Sequence, residues 1–106
     1  MPKYLIQGSY SVEGIKGVLK EGGSGRRAAV EAATKALGGK LEAFYFTFGG
    51  SDVVAIVDGP NNVAAAAFSM GVAATGTVRT TTTVILTPEE IDEAAKMTLK
   101  FRPAGQ

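Results

Sequence analysis

Cysteine and histidine are both absent from this 106-residue chain. Their absence removes disulfides, thiol nucleophiles, imidazole bases, histidine-ligated haem and zinc sites of the usual kind. An excess of charge of either sign is also lacking: eleven Lys and Arg stand against ten Asp and Glu, a net +1. No global field therefore draws the chain to nucleic acid or to an anionic membrane, and any ligand must be recognised locally. Nor is there a membrane-spanning run. Residues 59–78 carry no charge, but Pro60, Asn61, Asn62, Ser69, Gly71 and Thr75 interrupt them, which suits a packed helix with flanking turns better than a span. The opening residues lack the layout of a signal peptide, so a cytoplasmic protein is expected.

What is present is the pattern of one small domain. Its core is thin at this length, so association with a partner would add useful buried surface. Residues 4–10 alternate as a strand, with Tyr4, Ile6, Gly8 and Tyr10 on one face. Residues 11–20 suit a short helix weakened by Gly14 and Gly17, with Val12, Ile15 and Leu19 as its apolar edge. A second helix is expected after Ser24 as N-cap and up to Leu37, where Gly38 and Gly39 supply a left-handed stop. Residues 40–48 and 52–58 read as two strands of a hairpin across Gly49-Gly50-Ser51.

Residues 62–74 form an alanine-rich helix whose expected inward stripe is Val63, Ala67, Met70 and Ala74, leaving Phe68 and Val72 outside. Residues 77–86, rich in β-branched side chains, are the last strand. Thr87-Pro88-Glu89-Glu90 then opens a terminal helix reaching about Met97, with a cap, a first-turn proline and a capping-box glutamate. This order predicts an α+β fold, a ferredoxin-like βαββαβ sandwich with a C-terminal helix. Residues 1–98 make the domain and residues 99–106 a tail. Helices would cover one face of the sheet, yet the central hairpin is apolar on both faces: Phe44, Phe46 and Phe48 on one side, Ala43 and Tyr45 on the other, with Val53, Ala55 and Val57 opposing Val54 and Ile56. A second copy is the simplest cover, giving a homodimer or larger homo-oligomer.

The stretch "EGGSGRRA", residues 21–28, fits G-x-G-x-x-A at Gly23, Gly25 and Ala28. A dinucleotide loop needs a strand leading into its first glycine, and here charged, helix-like sequence precedes it. A turn with Ser24 capping the next helix is the simpler reading. Helical spacing aligns Arg26 with Val30, Ala33 and Leu37 on the inward side, and Arg27 with Glu31 outside. Arg26 should therefore either pair with a carboxylate such as Asp52 or contact a ligand. Tyr10, Tyr45, Asp52 and Arg79 are the other polar groups a sheet would carry toward a site. No pair of carboxylates is spaced for acid–base catalysis, and nothing implies a cofactor or a metal.

The segments "YLIQGSYS", "GRRAAVEA", "LGGKLEAFYFTFG", "SDVVAIVDGP" and "GTVRTTTT", in this order and spacing, resemble the GYD domain family. The family's Gly-Tyr-Asp triplet falls at Gly50-Ser51-Asp52, where this chain has Ser51 in place of the aromatic residue. The resemblance implies a ferredoxin-like domain related to the dimeric α+β barrels, and it implies no activity. Barrels of that type include cofactor-independent oxygenases and isomerases, an analogy of fold alone.

Three functions are thus expected of such a chain. The first is a homo-oligomer binding a small anionic or aromatic molecule through Arg26, Arg79, Tyr10 and Tyr45, with Asp52 nearby. The second is an oxygenase or isomerase in which a tyrosine or Asp52 moves a proton. The third is an assembly module using Phe68 and Val72.

Overall fold

A computed structural model describes all 106 residues. Four strands and three helices follow in the order β1 (Lys3–Tyr10), α1 (Val12–Ala36), β2 (Lys40–Phe46), β3 (Val53–Asp58), α2 (Asn62–Ala73), β4 (Val78–Ile85) and α3 (Pro88–Ala95). The strands make one antiparallel sheet in the order β2-β3-β1-β4. The fold is therefore α+β. One face carries α1 and α2; the other is bare.

Strand alternation sets the two faces. Tyr4, Ile6 and Gly8 of β1 and Val53, Ala55 and Val57 of β3 are buried on the helix side. Tyr4, Ile6, Ala55 and Val57 form the core, against which Leu41, Phe44, Ala65 and Phe68 pack. The bare face is mixed rather than uniformly apolar. Its β2–β3 half shows Ala43, Tyr45, Val54 and Ile56 beside Leu5, whereas its β1–β4 half shows Gln7, Ser9, Arg79, Thr81 and Thr83. At one end of this face Lys3 donates to Glu42 at 2.6 Å and to Asp58 at 2.8 Å, joining three strands. A β-bulge between Leu41 and Ala43 accompanies this arrangement. Asp58 first, then Glu42, holds the Lys3 ammonium well above the usual lysine range.

The two helices expected in residues 11–37 are both present, end to end within α1 and parted at Gly22 (φ 81°, ψ 169°). The first opens on Ser11, whose hydroxyl accepts from the Gly14 amide, and since Gly22 is the only non-helical residue between them, Ser24 lies inside the second helix rather than capping it. The expected apolar edge is also reversed. Val12 and Leu19 are exposed while Gly14 is buried, because the helix start lies directly on the chain entering β4. A Cβ on Gly14 would stand 2.1 Å from the Thr77 carbonyl oxygen. At the far end the Gly39 amide donates to Thr34 and that of Gly38 to Lys35, with Gly38 at φ 82°. This is a Schellman stop.

The face of α2 is inverted relative to its expected stripe. Val63 and Met70 are 79% and 72% exposed, while Ala64, Ala65, Phe68 and Val72 turn toward the sheet. Phe68 is the only aromatic on the helix, and its burial decides the rotation. The outward Phe68 and Val72 on which an assembly role rested are therefore inward. The capping box of α3 is present: Thr87 accepts from Glu90 and Glu90 from Thr87. Beyond it every residue from 88 to 106 is exposed.

Candidate functional site

Between the sheet and the two helices lies a cavity of about 60 Å³ whose lining includes Tyr10, Arg26, Val30, Phe44, Phe68 and Thr80. Tyr10 reaches it as the last helix-side residue of β1. Gly8 precedes it because two valines close over that point: a Cβ there would meet Val53 Cγ1 at 2.9 Å and Val78 Cγ2 at 3.1 Å. Phe44 forms the β2 wall, and Phe46 packs on it edge to face with centroids 5.4 Å apart.

The glycines of residues 22–25 place the arginine. Gly22 adopts the left-handed region, which favours glycine, and breaks the helix. Gly23 then packs so closely on the Phe46 ring that a Cβ would stand 3.0 Å from Cε2. A helix, and not a strand, leads into these glycines, so the stretch is a packing kink and lacks the layout of a phosphate loop. After the kink, Arg26, Val30 and Thr34 follow at helical spacing on the inward side, with Thr34 buried and bonded to the Val30 carbonyl oxygen at 2.8 Å.

Arg26 donates from Nη1 to Glu21 Oε1 at 2.9 Å. That partner sits five residues back across the break; it is not Asp52. The Nε of Arg26 is buried and has no hydrogen-bond partner in the protein. Leaving such a donor unsatisfied costs about 1–3 kcal/mol. Glu21 first, and the Tyr10 hydroxyl to a lesser degree, hold the guanidinium charged above the usual arginine range against the desolvation it suffers. No hydrogen bond of good geometry joins Tyr10 to Arg26. The arrangement is a fixed cation with a spare donor, beside a phenol, at an otherwise largely apolar cavity. It is chemically suited to a carboxylate or another planar anion.

The remaining candidate residues lie elsewhere. Asp52 receives the Tyr10 amide at 2.8 Å through its carboxylate, and its own amide donates to the Gly8 carbonyl oxygen at 2.8 Å, so it pins the end of β1 to β3. Arg79 is opposite Ser9 on the bare face, in a groove of about 510 Å³ with Gln7, Ser9, Ser51 and Thr81. It forms no ion pair. Tyr45, opposite Val54, is largely exposed at the sheet edge near Ser24 and Arg27. The structure thus unites Tyr10 with Arg26 and separates Arg26 from Arg79 and Tyr45, while Tyr10 also borders the groove that holds Arg79. Sequence reasoning missed Glu21, Thr34 and Phe68. Thr34 was detectable, standing at the same helical spacing as Arg26 and Val30.

No three acidic side chains converge as metal ligands would, and no helix is long and apolar enough to cross a membrane. The GYD domain family model matches residues 4–95 of the chain. No curated protein and no solved structure matches it.

Proposed function

We propose that this chain, which belongs to the GYD domain family, is a homo-oligomeric binding protein for a small organic acid seated between sheet and helices. The observation that carries this reading is the buried, unpartnered Nε of Arg26 at the cavity beside Tyr10. The acid group takes the place of the missing acceptor, and an apolar or aromatic body lies against Phe44, Phe68 and Val72. A volume of about 60 Å³ exceeds several-fold the roughly 10–15 Å³ of such space that one water needs, enough for the head group. Admitting the body requires α2 to move outward from the sheet.

The strand order β2-β3-β1-β4 and the βαββαβ element order support a ferredoxin-like reading of the domain. The apolar half of the bare face, Leu5, Tyr45, Val54 and Ile56, supports pairing of two such sheets into a dimeric α+β barrel.

Thermal unfolding with added benzoate, and with neutral benzamide as control, tests the site. A ligand at about 100 times its Kd adds about 2.7 kcal/mol, so benzoate should raise the Tm of the wild type while benzamide leaves it unchanged. Arg26→Met should abolish the benzoate shift. An equal shift in both proteins, or none in the wild type up to saturating benzoate, would remove the basis of the proposal.

A further inference from the structure

The chain is too long in one direction for its size. A domain of this length has a radius of gyration near 13 Å, yet the value is 17.0 Å and the extents are 57 × 32 × 23 Å. The two shorter extents suit a compact body, and in the segment that follows β4 no residue is buried. Every residue from 88 to 106 is exposed, and α3 makes no extensive contact with any other element. Among them Met97, Leu99 and Phe101 are 77%, 80% and 75% exposed.

Local structure aims this arm away from its own body. Pro88 restricts Thr87 to extended backbone, observed at φ −74° and ψ 157°, and the capping box fixes the start of α3. At the root of the arm is a groove of about 500 Å³ lined by the apolar Met1, Val84, Ile85 and Leu86 together with Pro2, Asn62 and Glu90. Val84 and Leu86 are more than half exposed there, although both belong to the β4 end of the body.

Charge identifies the occupant. The helix Pro88–Ala95 carries Glu89, Glu90, Asp92 and Glu93 and no base; residues 96–106 carry Lys96, Lys100 and Arg102 and no acid. Two arms laid antiparallel about a two-fold axis set each basic tail on the other's acidic helix. An anionic membrane would repel that helix.

We infer that residues 88–106 form an exchange arm that docks on a second copy of this chain, Leu99 and Phe101 of one protomer filling the groove at Val84 and Leu86 of the other. The inference rests on the self-association proposed above. Each chain buries both an arm and a groove. Arm and groove together contribute to the roughly 800 Å² per partner that a stable interface buries.

The absence of cysteine makes the test clean. Val84→Cys protein is mixed with Phe101→Cys protein and oxidised, with Leu19→Cys replacing Phe101→Cys as the control. Cross-linking of the Val84→Cys and Phe101→Cys chains several-fold above the control is expected, and it should weaken in high salt. Cross-linking no greater than the control overturns the inference.

Light scattering on a Leu99→Ser/Phe101→Ser variant provides the second readout. A smaller particle than wild type is expected, with unchanged circular dichroism. An unchanged particle mass overturns the role of the arm while leaving association through the sheet standing. A wild type that is a single chain at micromolar concentration overturns both, whether or not its arm binds anionic vesicles.

Discussion

Arg26→Met should make the protein more stable while removing its proposed ligand contact. The unpartnered Nε donor costs about 1–3 kcal/mol, and the substitution removes it. Against this stands the loss of the ion pair with Glu21, whose side chains are 31% and 42% exposed, worth about 0–1 kcal/mol after solvent screening. Methionine keeps the apolar stem against Val30 and Phe44 and adapts to the irregular space. The balance is a gain of about 1 kcal/mol, which for a domain near this size raises Tm by about 4–8 °C. Differential scanning calorimetry without ligand measures it. A double-mutant cycle with Glu21→Gln should return a coupling below about 1 kcal/mol. A fall in Tm of similar size would refute the reasoning, since Arg26 would then be a structural residue whose charge the fold requires.

The other predictions concern packing and caps. Gly14→Ala, with its Cβ driven to 2.1 Å from the Thr77 carbonyl oxygen, should destabilise by about 3 kcal/mol or more. Gly17→Ala meets nothing within 4 Å and should stabilise by about 0.5–1 kcal/mol. Denaturant unfolding of the pair checks both. Phe68→Ala should cost about 2–3 kcal/mol, less than for a fully buried ring, whereas Met70→Ala should change stability by less than about 0.5 kcal/mol; the opposite order would restore the other face of α2 to the core. Glu90 is held below its ordinary value of 4.5 by hydrogen bonds from Thr87. Its contribution to the α3 cap is thus complete above pH 4.5 and is lost as the pH falls through the lowered value. An NMR titration midpoint for Glu90 at or above 4.5 contradicts this.

Strands and stops were the legible part of the fold, because their signals are local. Alternation places the buried Tyr4, Ile6, Val53, Ala55 and Val57, the Gly38-Gly39 pair ends α1, and Thr87 with Glu90 opens α3. Orientation of the helices was less legible. In α2 both candidate stripes are apolar, so spacing cannot choose between them, and the choice falls to how one large ring fits the sheet. In the first half of α1 the packing face is a glycine, which apolar counting overlooks, since close backbone approach leaves no side chain to count. Arg26 was legible as inward from its spacing with Val30. Its partner was not: Glu21, five residues back, is out of reach on a continuous helix and comes within 2.9 Å only because Gly22 breaks the run.

The most direct test of the central claim is the Nε–H resonance of Arg26 in ¹⁵N-labelled protein, assigned by its disappearance in Arg26→Lys. On addition of benzoate, that signal should move downfield and exchange more slowly with water, as its donor acquires an acceptor, while the Nε–H signals of Arg27 and Arg102 stay in place. An Arg26 signal that does not move at benzoate concentrations that shift other resonances would contradict the account.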